Sequence, residues 1–350
     1  MSTDPQTSDL QTPDRAQLPA ALQADADAAR DFAAHSKAEN TLRAYRSDWD
    51  DFTAWCDERG LPALPASAET VTLYITSRAR GSGDRGTDER APLKVSTLER
   101  RLSAIAAAHR LAGHGSPVSR REEPLHSVWA GIVRRKGTAK EKVAPALTED
   151  VRQMVSTIAI TDIASGDAAA RLRGRRDAAL LLVGFAGALR RSELAALTVG
   201  DVGVDPDGLR VRVRRSKSDQ EGAGTVLGIH YGADPQTCPV RALRSWLLAS
   251  GISNGALFRG ITKGGNLHER PLSPRTVARV VKARAEAAGL DARAYSGHSL
   301  RAGFATQAAR AGVPERVIMR HTRHKDVVTL REYIREGGLF NENPTDALGL

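Results

Sequence analysis

The chain has 350 residues, of which 41% are hydrophobic and 26% are charged, and its formal net charge is +10. This composition excludes a wholly disordered chain. It also excludes a multi-span membrane protein, because the longest apolar run, residues 178–189, is shorter than the ~20 residues that a span needs. The two cysteines, Cys56 and Cys238, indicate no disulfide framework, so we expect a reducing, cytoplasmic location. The 51 basic residues predict a polyanionic partner, although arginine-rich codon usage would give the same excess.

The first domain is predicted to be helical over residues 36–135, after a disordered acidic and polar tail at 1–35. Capping-box patterns, a Ser followed three residues later by Glu, predict helix starts at Ser36 and at Ser96. We expect helices with these approximate bounds: 36–60, 68–80, 96–113 and 128–133. The polar, basic segment 136–147 has no apolar periodicity, which predicts an interdomain linker.

The second domain is predicted over 148–336, mostly helical with a small antiparallel sheet. Strict alternation over 209–213 predicts a strand, and residues 225–231 are its expected hairpin partner. Ser273 before a proline is typical of a helix start. A helix is expected from 148, and residues 174–197 are expected to form a helix and the turn that follows it. Further helices are expected at 239–248, 273–289, 298–311, 314–320 and 327–334. A polar tail follows at 337–350.

Several polar motifs stand in order along this second domain. Arg190 follows the apolar run, and Glu193 lies one helical turn away, so its carboxylate can orient the guanidinium. An exposed ion pair is the alternative. Lys217 lies in the hairpin and is one of four lysines among the domain's 30 basic residues. Lysine, unlike arginine, can release a proton at useful pH, so this residue is a candidate general acid. A solvated turn cation is the alternative.

Two further motifs suit phosphate chemistry. His298 and Arg301 are one helical turn apart, so both can face one anion. The alternative is a solvated helix start. Tyr333 follows His324 by nine residues, and a phenol near several cations can attack phosphorus covalently. A packing role for this tyrosine is the alternative.

Taken in this order, the motifs resemble the phage integrase (tyrosine recombinase) family, especially its Cre-like branch. The family pattern is Arg within Leu-Arg-x-x-Glu-Leu, a hairpin Lys, His-x-x-Arg, then His or Trp, and Tyr nine residues later. The matching positions are Arg190, Lys217, His298, Arg301, His324 and Tyr333, with Glu193 as the supporting acid. The resemblance covers residues 36–335. Arg323 stands where the family usually has Gly, and His321 offers a competing register, but its twelve-residue spacing to Tyr333 favours His324.

The resemblance implies a mainly α protein, with a SAM-like core-binding domain of four to five helices and a mixed, mostly helical catalytic domain that together clamp duplex DNA. It also implies strand cleavage and rejoining through a 3′-phosphotyrosine, with no metal, ATP or other cofactor. The two arginines of the pattern would hold the non-bridging phosphate oxygens, and the two histidines would donate to them. His298 would also take the proton of Tyr333, and Lys217 would protonate the departing 5′ oxygen.

Partners follow from the same resemblance: double-stranded DNA with inverted-repeat half-sites, and a homotetramer on two sites whose C-terminal tails dock on neighbours or fray. No membrane partner is expected. The residues expected to approach the major groove are Thr41, Arg43, Ser96, Thr97, Arg100 and Arg101. The last two could read guanine edges or clamp phosphates. The alternatives to recombination are relaxation of DNA in the manner of a type IB topoisomerase, and non-catalytic DNA binding.

Overall fold

The computed structural model describes residues 39–81, 91–138, 143–214, 224–324 and 327–337. The chain divides into two units between Lys140 and Glu141, within the segment predicted as the linker. The predicted tails before residue 36 and after Gly337, the capping box at Ser36 and the hairpin lysine Lys217 lie outside the described residues.

The described part of the N-terminal unit is helical. Its helices are α1 (Glu39–Asp57), α2 (Ala68–Arg80), α3 (Val95–Leu111) and α4 (Leu125–Lys136). Aromatic rings form the centre of the core: Tyr74 of α2 packs edge-on against Phe52 and Trp55 of α1, with ring centroids 5.0 and 5.5 Å apart. The core of this unit is therefore formed by apolar residues from its helices.

Two boundaries in this unit differ from the prediction. Helix α3 begins at Val95 after Lys94, and no side chain caps it, so the capping box predicted at Ser96 is wrong. Val95 is buried in the core, which draws it into the first turn. Helix α4 begins at Leu125 rather than near 128, because Leu125 packs in the same core.

The C-terminal unit is mostly helical, as the fold class predicted, and it contains a second small sheet in addition to the predicted one. The helices are α5 (Thr148–Ile158), α6 (Ala168–Ala186), α7 (Arg191–Ala196), α8 (Pro239–Ser250), α9 (Pro274–Ala287), α10 (Ser299–Arg310), α11 (Glu315–Thr322) and α12 (Val327–Gly337). The start of α9 is capped as predicted, since Oγ of Ser273 accepts a hydrogen bond from the Thr276 amide.

The first sheet contains β1 (Val202–Asp205), β2 (Gly208–Val213) and β3 (Thr225–His230), antiparallel in that order. In β2 the predicted alternation is confirmed: Leu209, Val211 and Val213 are buried, while Arg210 and Arg212 face solvent. The strands β4 (Arg259–Ile261) and β5 (Leu267–Pro271) form a second hairpin. The sequence did not predict it, because β4 is short and β5 is mostly exposed and polar.

Helix α6 is the centre of this unit. One side packs with the first sheet and α8 through Leu180 and Val183, and the other packs with α5 and α9 through Leu181 and Leu182. Burial on two sides explains the apolar run of the sequence. No helix in the described part of the chain is long and apolar enough to cross a membrane. The helix runs from Ala168 to Ala186, so it begins before the predicted 174; the turn predicted within 174–197 follows it, and the short α7 was not predicted.

Candidate active site

Arg190 and Glu193 meet at the turn that follows α6. Arg190 has an extended backbone (φ −68°, ψ 149°) and precedes α7 rather than ending the long helix. The Glu193 carboxylate accepts a hydrogen bond from the Arg190 amide at 2.9 Å and one from its guanidinium Nη1 at 2.7 Å. The Glu193 side chain is only 1% exposed, so the pair is a buried contact and not the exposed ion pair that is the alternative from sequence.

Arg301 is the most deeply buried charge of this region. The residue is 1% exposed on α10, and its Nη1 donates to the carbonyl of Ala188 at 2.8 Å. Its Nε and Nη2 are buried without a hydrogen-bond partner. Burial, followed by the charges of Arg190 and Arg323, lowers the pKa of Arg301 to about 9. Because unpaired buried donors and excess positive charge are costly, this arrangement suits a bound anion.

Tyr333 of α12 lies between two histidines. Its hydroxyl is 2.9 Å from Nε2 of His298, and its ring centroid is 6.2 Å from those of both His298 and His324. Loss of hydration, then the charges of Arg301 and Arg190, lower the pKa of His298. A neutral His298 with its proton on Nδ1 can accept the phenol proton at Nε2.

His324 is placed by a short polar chain. Its Nδ1 lies 2.7 Å from Oγ1 of Thr322, whose hydroxyl donates to the Ile318 carbonyl at 2.7 Å. Burial and the charges of Arg301 and Arg190 lower the pKa of His324 to about 3, so its ring is neutral at physiological pH. This leaves the ring beside Tyr333 as a neutral hydrogen-bonding group.

His321, the competing candidate, has a different environment. Its Nε2 lies 2.8 Å from the Ala186 carbonyl, and its ring stacks on Phe304 with centroids 4.6 Å apart. The register based on His324 is therefore the one that reaches Tyr333.

In the sequence, Arg323 differs from the glycine that the family usually has at this position, and nothing in the sequence indicates a role for its side chain. Its backbone is left-handed (φ 57°, ψ 41°), which is the conformation that glycine adopts most easily. Its Nη2 donates to Glu193 Oε2 at 3.0 Å, and the guanidinium also donates to three backbone carbonyls. Although burial acts to raise it, the charge of Arg323 and the hydrogen bonds from Arg190 lower the pKa of Glu193.

The structure thus brings five of the predicted catalytic positions, with Glu193, into one region of the C-terminal unit. Lys217 is outside the described residues, and the paired strands β2 and β3 lie on either side of it. Among the described residues, no group of three or more His, Cys, Asp or Glu side chains could hold a metal ion.

The predicted DNA-reading residues belong to the N-terminal unit. Thr41, Arg43 and Ser96 are exposed, and Thr97 is half-buried. The other two are engaged by carboxylates. Arg100 makes a two-point contact with Asp48 at 2.7 and 3.1 Å, whereas Arg101 is 13% exposed and bonds to Asp51 and Tyr74.

The sequence profile of the phage integrase family matches residues 149–337. An integrase/recombinase xerD homolog of Selenomonas ruminantium is 38% identical over 309 residues, covering 88% of this chain and 85% of that protein. Recombinase cre of Escherichia phage P1 is 26% identical over 317 residues, covering 85% and 84%.

Solved structures share the fold. A lambda integrase (75–356) dimer bound to a COC′ core site has a TM-score of 0.54 at 16% identity, covering 88% of this chain and 92% of that one. XerH bound to palindromic difH has a TM-score of 0.53 at 16% identity, covering 80% and 70%. The fold and the site define a tyrosine recombinase. The chain belongs to the phage integrase family.

Proposed function

We propose that this chain recombines DNA at specific sites, cleaving and rejoining strands through a covalent bond between Tyr333 and a 3′ phosphate. The observation that carries the proposal is the buried Arg301, which has two donors without partners in the region where Tyr333 contacts His298. A phosphodiester supplies the missing acceptors and the missing negative charge.

The chemistry follows from these positions. Arg301 and Arg190 bind the two non-bridging oxygens and stabilise the charge that develops on them during attack. His324 adds a hydrogen bond to one of these oxygens. The Tyr333 oxygen forms a bond to phosphorus while its proton moves to Nε2 of His298.

The leaving group is a 5′ oxygen, and Lys217 protonates it as the bond from phosphorus breaks. The bond between Tyr333 and DNA is itself a phosphodiester, so the energy of the broken bond is conserved. The 5′ hydroxyl of a second strand can therefore attack this bond and reverse the step. Protein side chains therefore supply every proton transfer, and the cycle needs neither ATP nor a metal ion.

Binding is proposed to involve duplex DNA with inverted half-sites and four protomers on two sites, in the cytoplasm. The lambda integrase and XerH structures, which hold DNA, support a DNA substrate. On the N-terminal unit, exposed Thr41, Arg43, Ser96 and Arg100, with half-buried Thr97, are the proposed contacts. The C-terminal tail, 337–350, is proposed to dock on a neighbouring protomer.

The test begins with the Tyr333→Phe protein, because it should bind DNA without cutting it. Fragments bound by this variant are sequenced to find the site, which is then made as a nicked suicide substrate. The wild-type protein is expected to form an adduct that resists denaturation and maps to Tyr333, and the Phe variant is expected to form none. An equal adduct with Tyr333→Phe contradicts the proposal. Supercoil relaxation by the wild type without strand exchange would instead indicate a topoisomerase.

A further inference from the structure

The end of helix α6 is held by side chains from two distant segments. The carbonyl of Ala186, the last residue of the helix, and those of Gly187 and Ala188 in the turn that follows have no partner within the helix. They accept hydrogen bonds from His321 at 2.8 Å, from Arg323 at 3.3 and 3.0 Å, and from Arg301 at 2.8 Å. The turn that precedes Arg190 is therefore tied to the segment that ends in His324.

Arg323 is the residue that also ties this turn to Glu193. Its side chain is 7% exposed, and its Nη2 bonds to Oε2 of Glu193 at 3.0 Å. The other carboxylate oxygen, Oε1, accepts from Arg190 at 2.7 Å. Glu193 thus lies between two guanidinium groups, and its orientation sets that of Arg190.

The backbone at Arg323 shows that the side chain is accommodated at a conformational cost. A left-handed conformation is unfavourable for residues with a Cβ and free for glycine. The guanidinium of Arg323 bonds to Glu193 and to the carbonyls of Gly187, Ala188 and His321. These hydrogen bonds compensate for the cost of the left-handed backbone.

We propose that Arg323 is a positioning residue of this recombinase site, which holds Glu193 and through it Arg190 in the orientation that receives the scissile phosphate. The inference rests on the proposed function, because its readout is cleavage by Tyr333.

The experiment is a double-mutant cycle on cleavage of the nicked substrate at saturating DNA. R323G keeps the left-handed backbone without strain, so the fold is expected to persist. Its cleavage rate is expected to fall by about 10- to 100-fold, in the range that misplaced catalytic groups cause, while DNA affinity is unchanged. In the E193Q background, R323G is expected to have much less effect, because the partner through which Arg323 acts is already changed.

R320A is the matched control, because Arg320 is an exposed arginine in the last turn of α11, three residues before Arg323. It removes an equal charge and is expected to leave the cleavage rate unchanged. If R323G fails to fold, judged by circular dichroism and melting, the cycle is run with R323K. That variant keeps the charge but cannot reach Glu193 and the carbonyls together, so slowed cleavage with unchanged affinity supports the proposal.

Three results overturn the inference. In the first, the Arg323 variant cleaves at the wild-type rate. In the second, it loses the same factor with and without E193Q, because Arg323 would then act independently of Glu193. In the third, the wild-type protein forms no adduct at Tyr333, and the proposed function fails with it. The first two results leave the Tyr333 adduct of the wild type intact, so the two failures are distinguishable.

Discussion

The hydroxyl of Tyr333 lies 2.9 Å from Nε2 of His298, although the two residues are 35 positions apart. The contact joins the start of α10 to α12 and places the proposed nucleophile next to the proposed base. Loss of hydration and the neighbouring arginine charges lower the pKa of His298, so the ring is ready to accept a proton. The same charges that favour a bound phosphate therefore keep the base neutral.

Lys217→Ala tests the predicted general acid. If Lys217 protonates the leaving 5′ oxygen, the variant should cleave normal DNA much more slowly, by roughly 100-fold or more. A 5′-phosphorothiolate substrate should be cleaved at nearly the wild-type rate, because sulfur leaves without a proton. Single-turnover rates on both substrates make the comparison. Equal slowing on the two substrates would remove Lys217 from this role.

Stability of the DNA-free protein is expected to fall as the pH drops below about 6.5. The pKa values of His298, His321 and His324 are all below the ordinary value of 6.5, and that of His324 is about 3. The unfolded chain therefore binds protons that the folded chain does not, and protonation favours unfolding. The loss begins near 6.5 and, for His324, continues to about 3.

Urea unfolding at several pH values between about 5 and 7 measures how the free energy of unfolding changes with pH across the ordinary histidine pKa. His324→Gln keeps a neutral polar side chain and removes one titrating group, so its free energy of unfolding should depend less on pH. A slope as steep as that of the wild type would show that His324 contributes nothing to it.

Arg100 and Arg101 should differ when each is changed to alanine. Arg101 is nearly buried and bonded to Asp51 and Tyr74, so R101A should lower the free energy of unfolding by about 1–3 kcal/mol. R100A should weaken DNA binding and reduce the slope of log affinity against log salt by about 0.9, the value of one phosphate contact. Filter or anisotropy titrations at several salt concentrations test this. A reduced salt slope in R101A, with unchanged stability, would reverse the assignment.

Gly303 allows α10 to approach the segment before α5. A Cβ at this position would overlap the carbonyl of Ala146, whose amide also bonds to the Ser299 carbonyl at 2.9 Å. Gly303→Ala should therefore destabilise the protein by about 1–3 kcal/mol, as overpacking does.

Gly131, inside α4, has open space around it, so Gly131→Ala should stabilise the protein by about 0.5–1 kcal/mol. Denaturant unfolding compares the two, and a neutral effect of Gly303→Ala would contradict the packing argument.

The sequence alone was sufficient for the helical class, and it predicted the residues of the candidate site. Residue type and local spacing carried this information: the alternation of β2, the cap at Ser273 and the nine-residue interval from His324 to Tyr333 are all local patterns. Local patterns were weaker at boundaries, as the start of α3 at Val95 shows, because burial in a core depends on the other helices.

Only the tertiary structure decided which side chains meet. Arg323 bonds to Glu193 and to the Ala188 carbonyl, and Arg301 bonds to the same carbonyl, each across a separation of more than 100 residues. A periodic pattern in the sequence cannot predict such pairs, because they form only when α6, α10 and α11 pack together. The residue types therefore determined what chemistry is possible, and packing determined where buried donors without partners lie, because burial arises only in the folded chain.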